Sequence, residues 1–307
     1  MRLLAGLIAL GLATQASRVQ APASIVLPVE HASNVFFART TINGAGPFWL
    51  TIDTGATLTV IDPATATRLG LSTSDAGRRA NVGVAGDSVR MVTAQSARLQ
   101  VGTLPLFAPS PLYVISVRGN SGFLGHHIDG VLGVDFLRRH IVEFDYRHGR
   151  VSLRPASPIR SDPAGRPDAP SGRVAIALEG NVLVAPATLT LPDGEQVTAR
   201  LLIDTGSNGA LTLTSPFVSR HRLADRFQSQ RASASVGING MVFARVIELR
   251  SVAFGQAIIT SPNAALSRAT SGLHASADFD GIIGAELLRH FRVVIDFPRR
   301  RLALEPR

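Results

Sequence analysis

The chain has no cysteine and no lysine, one tryptophan and two tyrosines in 307 residues. Without cysteine there is no disulfide, no thiolate zinc site, no iron–sulfur cluster and no cysteine nucleophile. Without lysine there is no Schiff-base amine and no P-loop lysine. All 31 basic residues are therefore arginine, and against 22 acidic residues they leave a formal charge of +9. Such a charge raises the question of nucleic acid. The arginines are scattered, however, with only short runs such as Arg138-Arg139 and Arg299-Arg300-Arg301. Nucleic-acid readers add aromatic platforms or a recognisable module, and neither is present. The charge reads as a solvated basic surface with no nucleic-acid partner. What the chain does have is a globular hydrophobic content of 45%. Its length suits two domains at roughly 100–200 residues each.

The N-terminal MRLLAGLIALGLATQA has the pattern of an export signal. Arg2 supplies the positive start, Leu3 to Leu12 an apolar stretch, and Thr14-Gln15-Ala16 small residues for cleavage. A second cleavage point follows Ala21. The apolar stretch is shorter than the roughly 20 residues that span a bilayer. The expectation is a signal peptide over residues 1–21, a periplasmic or secreted protein, and no stable membrane insertion after signal removal. Residues 17–30 are a candidate pro-segment.

Two separate matches at one offset reveal a tandem repeat. LTIDTGATLTVID at 50–62 resembles LLIDTGSNGALTL at 201–213, and DGVLGVDFLRRHIVEFDYRHGRVSL at 129–153 resembles DGIIGAELLRHFRVVIDFPRRRLAL at 280–304. The offset is 151 in both, and nine of the 25 positions in the second match are identical. Between the copies, residues 155–172 carry five prolines in 18 residues and read as a linker. The domains expected are thus 25–154 and 173–307.

Each copy carries strand signals. Alternating residues surround Asn43-Gly44 and Asp193-Gly194, both read as type I′ hairpin turns. Gly-containing hairpins are expected at 82–92 and 236–246, and closing hairpins at the end of each copy. Helix signals are short: 62–70, 217–227, and the turns after Gly133 and Gly284.

An aspartate delivered by an apolar strand into a sharp turn is an odd place for a charge. Leu50-Thr51-Ile52 does this to Asp53, and Leu201-Leu202-Ile203 to Asp204. A buried, unpaired carboxylate is expensive, so two such strands argue that the carboxylates meet. Close carboxylates share one proton. One then acts as base toward a water while the other, protonated, polarises a carbonyl. Gly55 and Gly206 permit the tight turn and offer N–H donors, and the Thr54 and Thr205 hydroxyls are placed to lock the two loops together.

At these residues the sequence resembles the retropepsin-like aspartic proteases and their exported bacterial relatives. The signature stands as Ile52-Asp53-Thr54-Gly55-Ala56 and Ile203-Asp204-Thr205-Gly206-Ser207. The family's second motif stands as Val131-Leu132-Gly133 and Ile282-Ile283-Gly284, 80 residues after each Asp. In the family that segment threads beneath the catalytic loop. The resemblance implies a mainly β fold: two retropepsin-like (acid protease) β-barrel lobes in tandem, pseudo-twofold, with short helices. It implies an aspartic endopeptidase with Asp53 and Asp204 as the catalytic dyad and with loop support from Thr54, Gly55, Ala56, Thr205, Gly206 and Ser207. Hairpins at Gly83/Gly86 and Gly237/Gly240 stand where the family has flaps. The substrate is a peptide or protein, and the mechanism calls for no metal or cofactor. Both lobes in one chain point to a monomer with intramolecular lobe pairing; lobes pairing between chains are the variant. The competing function is an inactive envelope peptide-binding module on the same fold.

Two departures from the pattern stand out. Asn208-Gly209 replaces the Thr57-Leu58 of the first copy, so the second loop is expected to differ in shape, and neither candidate flap carries a tyrosine. Among the remaining polar residues, Asp129 and Asp280 are read as turn or cap residues, and Asp145 and Asp296 as arginine ion pairs. His126-His127 with Asp129 lacks metal-ligand spacing.

Overall fold

The structure is a computed structural model and describes residues 24–80, 89–94, 97–105, 107–109, 111–155, 173–228, 231–237 and 240–306. The expected signal peptide, Gly83 and Gly86 of the first hairpin, and linker residues 156–172 lie outside the described residues. Pro155, the first linker residue of the sequence reading, is the last residue of the Arg150–Pro155 strand.

Strands dominate, as the alternation of apolar and polar residues dictates. The strands Val35–Ile42 and Ala45–Ile52 pair antiparallel around Asn43 and Gly44, whose φ values of 51° and 81° are the two left-handed residues of a type I′ turn. The matching hairpin of the second copy, Val182–Thr190 with Gln196–Asp204, turns differently. Only Gly194 is left-handed there (φ 96°), and its N–H donates to Leu191 O at 2.9 Å. Pro192 fixes a negative φ two residues before the glycine. The connection is therefore a longer turn closed by glycine, not the expected type I′.

Two large mixed sheets result, and seven strands of one match seven of the other in order. In the first, Val35–Ile42, Ala45–Ile52, Gly130–Leu132, Val60–Ile61, Leu112–Val114, Val89–Ala94 and Thr73–Ala80 are successive neighbours. In the second the sequence of neighbours is Val182–Thr190, Gln196–Asp204, Gly281–Gly284, Leu211–Leu213, Asn263–Ser267, Gly240–Glu248 and Ala232–Gly237. Short helices cap the strands: Pro63–Arg68, with Asp62 accepting from the Ala64 N–H at 3.0 Å, and Val134–Leu137 and Ala285–Leu288 after the two motif glycines. The segment read as one helix over 217–227 is two, Ser215–Arg220 and Leu223–Arg226, divided at the left-handed Arg222. Among the described residues no helix is long and apolar enough to cross a membrane.

A third sheet joins the copies. Its order is Ile25–Val26, Arg150–Pro155, His140–Asp145, Phe291–Asp296, Arg301–Pro306 and Arg173–Ala175. At its centre the closing strands of the two copies pair antiparallel, with Glu143 opposite Val294 and Asp145 opposite Arg292. Glu143 and Val294 are repeat equivalents, so the local twofold axis passes through that pair. Ile25–Val26 is an edge strand here, Leu27 is buried, and Val29–Ala32 pairs with the strand beginning at Val35. The candidate pro-segment from Ile25 onward is thus built into two sheets. One apolar cluster runs through both copies and includes Phe36, Phe48 and Phe144 of the first with Phe217, Phe254 and Phe297 of the second.

A cysteine-free chain makes the central pairing directly testable. With Glu143→Cys and Val294→Cys combined, opposed strand positions fall within disulfide reach, about 4.4–6.8 Å between Cα atoms. Mild oxidation is expected to give an intrachain bond that migrates as monomer on a non-reducing gel. A covalent dimer as main product would mean that the closing strands pair between chains.

Candidate active site

The two Asp-Thr-Gly loops leave their strands side by side. Each preceding strand is held by a parallel neighbour from the same copy: Leu132 pairs with Ile52, and Gly284 with Asp204. The other edge of that neighbour pairs antiparallel with the strand that leaves the loop. The Val131-Leu132-Gly133 and Ile282-Ile283-Gly284 motifs therefore run between the entering and leaving arms of the loops. The Asp53 N–H donates to Leu132 O at 3.0 Å, the Val134 N–H to Ala56 O at 2.8 Å and the Ala285 N–H to Ser207 O at 2.7 Å. Only glycine fits at 133 and 284, because a Cβ on Gly133 would sit 2.8 Å from Ala56 O and one on Gly284 would overlap the Gly209 carbonyl.

The loops then exchange hydrogen bonds. Thr54 Oγ1 accepts from the Thr205 N–H at 3.1 Å and donates to Ile203 O at 2.6 Å. Thr205 Oγ1 accepts from the Thr54 N–H at 3.1 Å and donates to Ile52 O at 2.9 Å. Both threonines are fully buried. Each aspartate accepts two N–H groups of its own turn on Oδ1: Asp53 from Gly55 (2.7 Å) and Ala56 (3.2 Å), Asp204 from Gly206 (3.0 Å) and Ser207 (2.9 Å). Across the junction, Gly55 and Gly206 lie flat against the opposite carboxyl. A Cβ on Gly55 would stand 2.7 Å from Asp204 Cγ, and one on Gly206 would overlap the Asp53 carboxyl.

The two carboxyl groups are within hydrogen-bonding reach of each other. They sit at the floor of a cleft, surrounded by protein with one edge open to it. Burial raises the pKa of Asp53 above the ordinary carboxylate value, against the Gly55 N–H, the Asp204 hydrogen bond and the Ala56 and Gly206 N–H groups. Asp204 is pushed well above it by burial, by the charge of Asp53 and by their mutual hydrogen bond, only partly opposed by the Ser207 and Gly206 N–H groups. Such a pair holds one proton between its members over a wide pH range.

The second loop is one residue longer than the first. Val60 lies opposite Val131, whereas Thr212 lies opposite Ile282. Six residues therefore separate Asp53 from its wall position and seven separate Asp204 from its own. The extra residue falls in the Ser207–Ala210 stretch, whose Asn208 and Gly209 are exposed.

The cleft has a volume of about 840 Å³ and receives residues from both copies. Met91, at the foot of the first hairpin, and Ala232, Ser233 and Ala234, at the foot of the second, line it. The second hairpin is closed by pairing of Gly237 with Gly240. His274 also lines the cleft, and burial pushes its pKa down to about 4.

Asp129 and Asp280 do more than cap a turn. Asp129 Oδ2 accepts the Trp49 N–H at 3.0 Å, and Asp280 Oδ2 the Arg200 N–H at 2.8 Å. Both contacts grip the strand four residues before the Asp of each loop. Asp129 is buried, yet its pKa falls, because hydrogen bonds from the Trp49 N–H, Arg118, His127 and Thr65 outweigh its desolvation. Arg118 is the residue that sequence reasoning missed: it joins Asp129 at 2.9 Å and Asp62 at 3.5 Å, and its distance along the chain from Asp62 left no signal. Asp145 pairs with His148 (2.7 Å) and Arg150 (3.5 Å), and Asp296 with Arg299 (3.0 Å). His126 bonds Glu30 at 2.9 Å and stacks on Phe37, apart from His127, which faces Asp129.

A raised carboxyl pKa has a definite consequence for stability. The fold holds the proton more tightly than the unfolded chain, so stability is full below the ordinary carboxylate pKa and falls as pH rises through the folded value. Asp204→Asn keeps the acceptor for the Gly206 and Ser207 N–H groups and removes the titrating charge. It is expected to raise the melting temperature near pH 7, with the gain shrinking toward pH 3. An equal shift at both pH values would refute the assignment.

Residues 38–136 match the family model described as aspartyl protease. Among curated proteins, no sequence matches the chain. The matched segment holds the first Asp-Thr-Gly loop and its Val-Leu-Gly motif, in a mainly β fold of the acid-protease kind. Over residues 38–136 the chain is accordingly similar to the aspartyl proteases.

Proposed function

We propose that the chain is an aspartic endopeptidase in which Asp53 and Asp204 activate one water for attack on a peptide bond. The observation that carries this reading is the pair of carboxyls held across the Thr54–Thr205 exchange at the floor of an open cleft. With one proton shared, the ionised carboxylate takes a proton from the water as its oxygen bonds to the carbonyl carbon, and the protonated carboxyl gives its proton to the carbonyl oxygen. The tetrahedral diol then collapses. The first carboxyl returns its proton to the leaving nitrogen, the C–N bond breaks, and a diol hydroxyl restores the proton to the second carboxyl. The two carboxyls share the proton, so whichever carries it is the donor in the first step. Thr54, Thr205, Gly55 and Gly206 position the carboxyls.

The hairpins that rise from Met91 and from Ala232–Ala234 are suited to close over an extended peptide and exclude water. Both loops belong to one chain, so the working unit is a monomer with its lobes paired within the chain. The leader composition supports export to the periplasm or beyond.

The test is hydrolysis of casein and of a peptide library across pH 3 to 7. Asp53→Asn and Asp204→Asn are each expected to lose activity by about 10³-fold or more. The rate profile should be bell-shaped: the acid limb falls when both carboxyls are protonated, the alkaline limb when the shared proton leaves. A folded wild type inert toward every substrate would favour a peptide-binding module instead. Mixing the two single variants should restore nothing; recovery would show that dyads form between chains.

A further inference from the structure

The two halves of the cleft are built from equivalent strands but not from equivalent side chains. Register fixes the correspondence. In the first copy Val60 lies opposite Val131 and beside Tyr113, and in the second Thr212 lies opposite Ile282 and beside Ala265. Continuing along the neighbouring strands, Tyr113 is opposite Thr93 and Ala265 is opposite Val246. Two residues further on, Met91 and Ile115 of the first copy correspond to Ala244 and Ser267 of the second. Val60 and Tyr113 therefore line the first half of the cleft where Thr212 and Ala265 line the second; Met91 and Ile115 line the first half too, whereas their counterparts Ala244 and Ser267 are not among the described residues that line it. Val246 against Thr93, and Ile282 against Val131, go the opposite way.

The packing follows from these exchanges. Among the described residues, the first-copy wall is an apolar cluster of ten buried residues that includes Val60, Met91, Tyr113 and Ile115, and its second-copy counterpart holds four, Val184, Leu202, Phe279 and Ile282. Where the tyrosine ring stands in the first half, the cleft reaches Ala265 in the second, beside Thr212 and Asn263. Arg231 closes this side, with its Nη1 donating to Asn263 Oδ1 at 3.2 Å.

We infer that the two substrate side chains flanking the scissile bond are selected differently, the second-copy half of the cleft taking a bulky side chain with a hydrogen-bonding tip and the first-copy half a small aliphatic one. Ala265 is the specificity-determining residue, because a large side chain there rebuilds the first-copy wall. The inference rests on the peptidase reading above and names the substrate class of the same cleft.

The experiment uses peptide pairs that differ only in the order of the two central residues, Val-Tyr against Tyr-Val and Ala-Gln against Gln-Ala, with an Ala-Val reference. The wild type is expected to prefer one order of each pair by about tenfold or more in kcat/KM. In Ala265→Tyr that preference should collapse while the Ala-Val peptide is still cleaved, which also shows that the variant folds; Ala265→Leu is a milder version. Equal use of both orders by an active wild type, or an Ala265→Tyr that keeps the preference, overturns the inference and leaves the peptidase reading standing. If the wild type cleaves none of the peptides, the peptidase reading fails. The asymmetry is then read from their affinities for the wild type and Ala265→Tyr, where equal binding of both orders overturns it.

Discussion

The site depends on a swap of hydrogen bonds between two threonines. Thr54 and Thr205 each lend a hydroxyl to the other's backbone N–H and to the carbonyl preceding the opposite aspartate. Both are sealed from solvent, so none of the four bonds competes with water, and losing a partner would strand a buried polar group at about 1–3 kcal/mol. The exchange is symmetric, and it sets the two carboxyls face to face. Two closing strands of six residues each, His140–Asp145 and Phe291–Asp296, paired about Glu143 and Val294, hold the two copies in the same relation. The twofold is thus fixed at two levels, one by side chains and one by a backbone ladder.

The same residue type ends in opposite electrostatic states within one molecule. Asp129 is more deeply buried by solvent exposure than Asp53 or Asp204, yet its pKa is lowered while theirs are raised. Donors decide the matter. Asp129 receives the Trp49 N–H, Thr65, His127 and the cationic Arg118, which stabilise its charge. Each loop aspartate receives two turn N–H groups and then faces another carboxyl, with no arginine among its hydrogen-bond partners in the described residues. A chain with 31 arginines keeps its cations in other pairings, such as Arg118 with Asp62 and Asp129, Arg226 with Asp193 and Arg292 with Glu143. A cation beside the dyad would lower both pKa values and release the shared proton.

The glycines show how much of this is steric. Gly55 and Gly206 are required less for their own torsions than for the neighbour each faces, since a methyl group would occupy the space of the opposite carboxyl. Gly133 and Gly284 serve the loops in the same way from below. These contacts are alike in both halves, whereas the walls of the cleft differ. Wall residues touch substrate space and one another, so their side chains can change without moving the carboxyls.

The Asp-Thr-Gly loops, their spacing to the Gly motifs and the mainly β character were legible in the sequence, because each depends on short runs with strict steric demands. The Asn43-Gly44 turn was legible for the same reason, and the Asp193-Gly194 turn was misread because Pro192 overrides the dipeptide. The sequence by itself determined which segments resemble each other and which carboxylates are delivered by apolar strands. Only the tertiary structure decided that Asp129 is ionised beside Arg118, that the second loop holds an extra residue, and that Tyr113 is answered by Ala265. Those outcomes are set by strand register and by neighbours far away in the chain, where burial and charge add up in space and leave no local trace.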